Sequence, residues 1–233
     1  MSLVINTNVA SLNAQRSLSA SGAELKTAME RLSSGKQINS ASDDAAGFAI
    51  AERMTAQIRG LNMAAKNAGD GLSMLSTIEN ATNDVTDMLQ RVRELAVQAV
   101  NDTNSTEDRG YLQTEVTQLV AEIDRVANDT QYNGRNVFVD FVGSGSGESA
   151  VAGGKIQVGT EANQTIDFTI DSISTNALGV NSIDVSTGAG ATQALSLVDA
   201  AIEKVAGNRV EYGAVQNRLE YSVSNLLNVA EYT

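Results

Sequence analysis

Residues 75–99 read LSTIENATNDVTDMLQRVRELAVQA, with apolar side chains at Leu75, Ile78, Val85, Leu89, Val92, Ala96 and Ala99 and with Thr82 in the same phase. Steps of three and four residues, sustained over this length, predict a helix carrying one continuous apolar seam, the pattern of long packed helices. The chain contains no proline, so no residue of that kind interrupts the helix upstream and the reading extends back to Asp44. At about 1.5 Å of rise per residue such a helix reaches roughly 80 Å, more than a compact domain of this size needs in one element. Length of that kind points to assembly rather than to catalysis.

Outward from this stretch, the polar run 101–106 (NDTNST) reads as a connector, after which Leu112, Val116, Leu119, Ile123 and Val126 resume the same spacing. A short connector between two stripes of equal period predicts an antiparallel helix pair. Near the C-terminus Leu195, Val198, Ile202, Val205, Tyr212, Leu219, Val223, Leu226 and Ala230 continue the rod, with Arg209 and Gln216 at seam positions. Polar residues there either fix register or reach water from the edge of the seam. The expectation is three helices, at 75–99, 107–127 and 194–230, packed along one another.

The N-terminal stripe Ile5, Val9, Leu12, Leu18, Leu25, Met29 and Leu32 has a phase slip after Leu12 and predicts a further helix, interrupted by Ser33-Ser34-Gly35 and by the polar run 39–42. Ser42 reads as the cap of the next helix, with Asp43 and Asp44 placed favourably at its positive end. Between the helical parts the chain is rich in Gly, Ser and Thr. Asn133-Gly134 marks a turn. Val137-Phe138-Val139 with Phe141-Val142, Ile156 with Val158, and the alternating Ile166, Phe168 and Ile170 predict strands, and Val180, Ile183 and Val185 a weaker one. The organisation expected is an N-terminal helix segment at 1–42, a rod at 43–136, a variable β-rich insertion at 137–191 and a returning rod helix at 192–233. The fold class is mainly α: a long antiparallel helical rod or bundle with a small β-rich insertion.

Composition narrows the chemistry. With no His and no Cys among 233 residues, the chain has no Ser-His or Cys-His pair, no thiolate, no zinc site of the usual kind and no disulfide. Carboxylate catalysis and oxygen-ligated Ca²⁺ or Mg²⁺ remain open in principle. A net charge of -12 opposes binding to nucleic acid and to anionic lipid. Aromatic residues make up only 4% of the chain, which suits narrow helix seams better than thick cores. No stretch approaches the roughly 20 apolar residues of a membrane span, and the start does not resemble a secretory signal. The residues by themselves therefore read as soluble and cytoplasmic, unless the protein leaves the cell by a route without a cleaved signal.

The blocks Ile5-Asn6-Thr7-Asn8-Val9-Ala10-Ser11-Leu12, Arg31-Leu32-Ser33-Ser34-Gly35-Lys36-Gln37-Ile38-Asn39, Asp43-Asp44-Ala45-Ala46-Gly47 and Leu89-Gln90-Arg91-Val92-Arg93-Glu94-Leu95-Ala96-Val97-Gln98 resemble bacterial flagellin over residues 1 to about 136, and Gly213-Ala214-Val215-Gln216-Asn217-Arg218-Leu219 resumes the likeness. The resemblance implies a non-enzymatic structural subunit of the flagellar filament, without cofactors. It also implies export through the flagellar type III apparatus and an extracellular place in the filament beside other flagellin subunits. The pattern stops at Thr233 without a helix-ending signal, so the family's C-terminal helix, partner of the N-terminal stripe in the inner tube, is expected to be missing and normal filaments are not expected from this chain. A hook-filament junction protein is the near rival. A surface adhesin, with the β insertion holding a binding site, is the distant one.

Two sets of residues stand out as candidate surfaces. Ile5, Val9, Leu12, Leu18, Leu25, Met29 and Leu32 form the expected inner-tube assembly stripe. Gln90, Arg91, Glu94, Leu95 and Gln98 fall largely outside the seam of their helix, and with Glu115 on the antiparallel helix they match the patch that the resemblance implies for the flagellin-sensing Toll-like receptor of animals and for subunit packing. Arg91, Leu95 and Glu115 are expected to be exposed. Asp43, Asp44, Asp167, Asp171 and Asp184 could be offered as metal ligands, but helix-start charge for the first two and solvent-facing strand positions for the others account for them better.

Overall fold

The computed structural model describes residues 8–139 and 152–233. Ile5, the expected Phe141-Val142 strand and the Gly-Ser run at 143–147 lie outside the described residues. The chain is mainly α, with long helices packed on one another and two small antiparallel hairpins among the described residues. It divides into two compact units, one up to Ile58 and one from Arg59 onward.

In the first unit, α1 (Val9–Ser34) starts at Asn8, whose side chain accepts from the Ser11 amide at 3.2 Å. It ends at Gly35, held at φ 67°, a left-handed conformation in which a Cβ is unfavourable. The following turn is built on Asp43, whose carboxylate accepts from the Asn39 and Ser40 amides at 3.1 and 3.0 Å. Those bonds, from Ser40 first, hold its pKa below the ordinary carboxylate value. The helix that follows, α2 (Ala45–Val100), is capped by Asp44 and not by Ser42: Asp44 Oδ1 accepts from the Ala46 and Gly47 amides at 3.0 Å each. A carboxylate satisfies the orphan donors and the helix dipole together, so it displaces the serine two residues upstream. Ser42 instead shares a hydroxyl contact of 2.7 Å with Ser40.

The second unit holds the rest of α2, α3 (Thr106–Asp129), the hairpin β1 (Gln131–Tyr132) and β2 (Arg135–Asn136), the hairpin β3 (Ala152–Gln157) and β4 (Thr165–Ile170), the short α4 (Thr175–Leu178) and α5 (Gly188–Tyr232). The expected helices at 75–99, 107–127 and 194–230 are all present, each somewhat longer than predicted. The contacts fix their directions. Arg91 on α2 meets Glu115 on α3, and farther along α2 the Ala99 carbonyl meets Arg109, so the partner number falls as the α2 number rises. Arg93 meets Asp199 while Glu79 meets Gln216, and the same reasoning makes α5 antiparallel to α2. Ser105 and Asp108 close a reciprocal capping box at the start of α3.

The core runs through one cluster that includes Leu75, Ile78, Val85, Leu89 and Val92 of α2, Val116 and Ile123 of α3, and Val198, Val205, Tyr212 and Leu219 of α5. Leu112, Leu119 and Val126 are half-buried at its margin. On α5 the seam includes the buried Asn208, while Arg209 is half-buried beside it. Gln216 sits where expected and donates to Glu79 Oε2 at 3.2 Å, a polar link within the α2–α5 seam.

The insertion differs from expectation in three places. Residues 137–139 form a turn rather than a strand, with Val137 and Phe138 nonetheless buried. The strand expected at Ile156 and Val158 starts earlier and ends at Gln157; a glycine suits position 154 because the Phe168 ring lies where a Cβ on Gly154 would stand. Val180, Ile183 and Val185 are buried without a strand, since the Gln113 amide takes the place of a strand partner: Nε2 donates to the Ile183 carbonyl at 3.2 Å and Oε1 accepts from the Val185 amide at 2.6 Å. The alternation of Ile166, Phe168 and Ile170 matches β4, and Asn133-Gly134, both at positive φ, closes the first hairpin.

Candidate interaction surfaces

α1 has no buried residue. The six described members of its stripe, Val9, Leu12, Leu18, Leu25, Met29 and Leu32, are 50–87% exposed. A row of large apolar side chains is thus left facing water along the length of the helix. Charge is divided just as sharply. Residues up to Ile58 contain five basic side chains (Arg16, Lys26, Arg31, Lys36, Arg53) and five acidic ones (Glu24, Glu30, Asp43, Asp44, Glu52), so the whole net charge of -12 belongs to residues 59–233. Copies meeting through the first unit would face no net charge there.

In the second unit, Gln90, Arg91, Glu94 and Gln98 are exposed on α2, and Glu115 is exposed on α3. The antiparallel crossing brings Arg91 between two carboxylates. Its Nε donates to Glu115 Oε1 at 2.9 Å, its Nη1 donates to Glu94 Oε2 at 3.0 Å, and its Nη2 lies 2.8 Å from Glu115. These bonds, to Glu115 first, raise the guanidinium pKa above its ordinary value. Leu95 does not join them at the surface. It is only 1% exposed, which overturns the expected pairing of an exposed leucine with an exposed arginine. Because α2 packs against both α3 and α5, its apolar arc is wider than the two-position seam of a simple helix pair and takes in Leu95 beside Val92 and Ala96.

A residue pair that sequence reading misses lies close by along α2: Arg93 Nε donates to Asp199 Oδ1 of α5 at 2.7 Å. The 106 residues between them leave no local signal. The acidic residues considered as ligands serve the fold instead. Asp167 sits opposite Lys155 across the β3–β4 ladder, Asp184 accepts from the Ser186 amide, and Asp171, half-buried beyond the end of β4 rather than solvent-facing within a strand, accepts from the reoriented Asn208 amide at 3.1 Å. Among the described residues no three acidic side chains gather where they could hold a metal ion, and no helix is long and apolar enough to cross a membrane.

Residues 5–142 match the family described as the bacterial flagellin N-terminal helical region. The chain is 40% identical over 236 residues to the flagellar filament 33 kDa core protein of Treponema phagedenis, covering 98% of this chain and 82% of that protein. It is 38% identical over 231 residues to a flagellin of Halalkalibacterium halodurans, with the same coverage. Its fold is similar to the crystal structure of Bacillus cereus flagellin, at 30% identity and a TM-score of 0.58, over 69% of this chain and 88% of that one.

Proposed function

The chain belongs to the bacterial flagellin family, whose members are structural proteins and not enzymes, and we propose that it polymerises with other flagellin subunits through the exposed stripe of α1. The filament so built is extracellular and serves motility. One observation carries this reading: a helix of 26 residues with no buried side chain and a row of large apolar ones along its length. Such a helix gains its stability from packing, and another subunit supplies the apolar surface it lacks. Export through the flagellar type III apparatus belongs to the same reading and is supported by a chain with no cysteine to close loops on the way out. The junction-protein and adhesin alternatives are not favoured, since the relatives matched over nearly the whole chain are a filament core protein and a flagellin. The test is a double substitution, Leu25→Asp with Met29→Asp, made in a strain that swims on a single flagellin carrying this sequence together with the family's C-terminal helix. Filaments are expected to be lost in electron micrographs while the purified chain keeps its thermal midpoint. Filaments of ordinary length would refute the assignment.

A second reading is favoured by the Arg91 cluster. An exposed arginine fixed between two helices is the type of residue that anchors an interface, and we propose that this patch is received by the animal flagellin-sensing Toll-like receptor, the partner that the resemblance to flagellin implies. Arg91→Ala should weaken binding to the soluble receptor ectodomain about thirty-fold, an interface anchor's roughly 2 kcal/mol. Unchanged affinity would remove this reading.

A further inference from the structure

Resting on the proposed role of the α1 stripe, we infer that Met29 is a site of reversible oxidation, and that its sulfoxide withholds the free chain from assembly until a reductase restores the thioether. Composition singles out the chemistry. Cysteine, tryptophan and methionine are the side chains that a peroxide oxidises readily, and the chain has six methionines with no cysteine and no tryptophan. The described methionines differ in access. Met29, Met63 and Met54 are 63%, 54% and 38% exposed, Met88 is half-buried, and Met74 is only 6% exposed. Met29 is the most open of these five, and it alone lies in the α1 stripe, with Leu25 one turn before it and Leu32 one turn after.

The oxidant is hydrogen peroxide. A lone pair on the Met29 sulfur attacks one peroxide oxygen, so that an S–O bond forms as the O–O bond breaks. The proton on the transferred oxygen passes to the departing one, which leaves as water. Sulfur loses two electrons and the peroxide gains two. In the reverse step two thiols of a methionine sulfoxide reductase supply the electrons, become a disulfide and release the oxygen as water. Methionine is a flexible apolar filler of gaps, whereas its sulfoxide carries a polar oxygen that is costly to desolvate without a donor. In the free chain that oxygen stays in water, because α1 has no buried residue, and the fold is undisturbed. Packed against another subunit, it would lie beside Leu25 and Leu32, whose side chains have no hydrogen to donate. The modification is therefore silent in the free chain and costly at the interface.

The experiment uses a flagellin carrying this sequence together with a C-terminal helix of the family that contains no methionine, as the native chain, as Met29→Leu and as Met54→Leu with Met63→Leu. Each is treated with hydrogen peroxide before assembly, and peptide mass spectrometry locates every gain of oxygen. Seeded polymerisation then gives the critical concentration of each chain, compared with its own untreated value. Met29 should be oxidised ahead of Met88, and Met74 only in denaturant. Oxidation should raise the critical concentration about tenfold in the native chain and in the Met54, Met63 double variant, with thermal midpoints unchanged. Met29→Leu should show no change on treatment, and methionine sulfoxide reductase with its reductant should return the oxidised native chain to its starting value. Full oxidation of Met29 without a change in critical concentration would overturn the inference. So would a rise that persists in Met29→Leu, a rise that the reductase does not reverse, or a fall in thermal midpoint on oxidation of Met29. The underlying role of the stripe is judged separately, without peroxide: Leu25→Asp with Met29→Asp polymerising at the native critical concentration would remove that role whatever oxidation does.

Discussion

Helix α1 and the part of α2 beyond Ile58 carry the same kind of apolar stripe and meet opposite fates. On α2, Leu75, Ile78, Val85, Leu89 and Val92 are fully buried, whereas on α1 the large apolar side chains are at least half exposed. The difference lies not in the helices but in what surrounds them: α2 finds α3, α5 and the β3–β4 hairpin within its own unit, and α1 finds no element that covers its stripe. One unit closes its core and carries all of the net charge; the other is neutral and open. A periodic pattern states that a helix has a sticky face, and the partner decides whether that face is a core or an interface.

The largest effect expected from this comparison contrasts Ile123→Asp with Leu25→Asp. Ile123 is fully buried, so a carboxylate there has no water and no partner, and the cost should be about 3–5 kcal/mol with a steep fall in the thermal midpoint. Leu25 is 62% exposed, and the same change should move the midpoint of the purified chain by less than about 0.5 kcal/mol. Equal losses would break the comparison, because they would mean that the α1 stripe is already covered in solution.

Next in size is Gln113→Ala, which strips the side-chain partner from the Ile183 carbonyl and the Val185 amide and should cost about 1–3 kcal/mol. Hydrogen exchange at the Val185 amide reports it directly, with protection lost there before it is lost in the helix seams. Retained protection would show that the segment does not depend on Gln113.

A smaller effect distinguishes the units by pH. Every tyrosine lies beyond residue 58, and Tyr212 is buried, which pushes its phenol pKa upward. A pKa raised in the folded state means that the native protein holds a proton the unfolded chain gives up. The associated stability is complete below the free tyrosine value of about 10 and declines as pH climbs above it. Denaturant midpoints should therefore fall more steeply above that pH for the native sequence than for Tyr212→Phe. Identical slopes would disprove the linkage. The smallest effect belongs to Asp199→Asn: both members of its pair with Arg93 are about half exposed, so stability should change by less than about 0.5 kcal/mol and the change should vanish in high salt.

Much of this was legible residue by residue. Leu89, Val92, Val116 and Ile123 declared their seams through spacing alone, as did the alternation at Ile166, Phe168 and Ile170, because burial on one face of a regular element leaves a period that needs no knowledge of the partner. The start of α2 was readable only to within two residues: Ser42, Asp43 and Asp44 are all good caps, and the choice of Asp44 rests on where the chain turns. Arg91 and Glu115 were legible as exposed side chains of opposite charge, but Glu94 as a second arm of the same cluster emerges only from the side-chain geometry.

Local order along the chain thus settled where the helices run, which residues line their apolar faces and which large functional classes the absence of His and Cys removes. Tertiary structure settled how wide each face is. Leu95 is buried because α2 has two helical neighbours rather than one, Ile183 and Val185 need no strand because a glutamine from α3 serves their backbone, and Arg93 meets Asp199 across an interval that no local pattern spans. Spacing along a helix records the angle at which a side chain leaves the axis, whereas burial depends on what stands at that angle, and for these residues it was other parts of the chain, far away in sequence, that stood there.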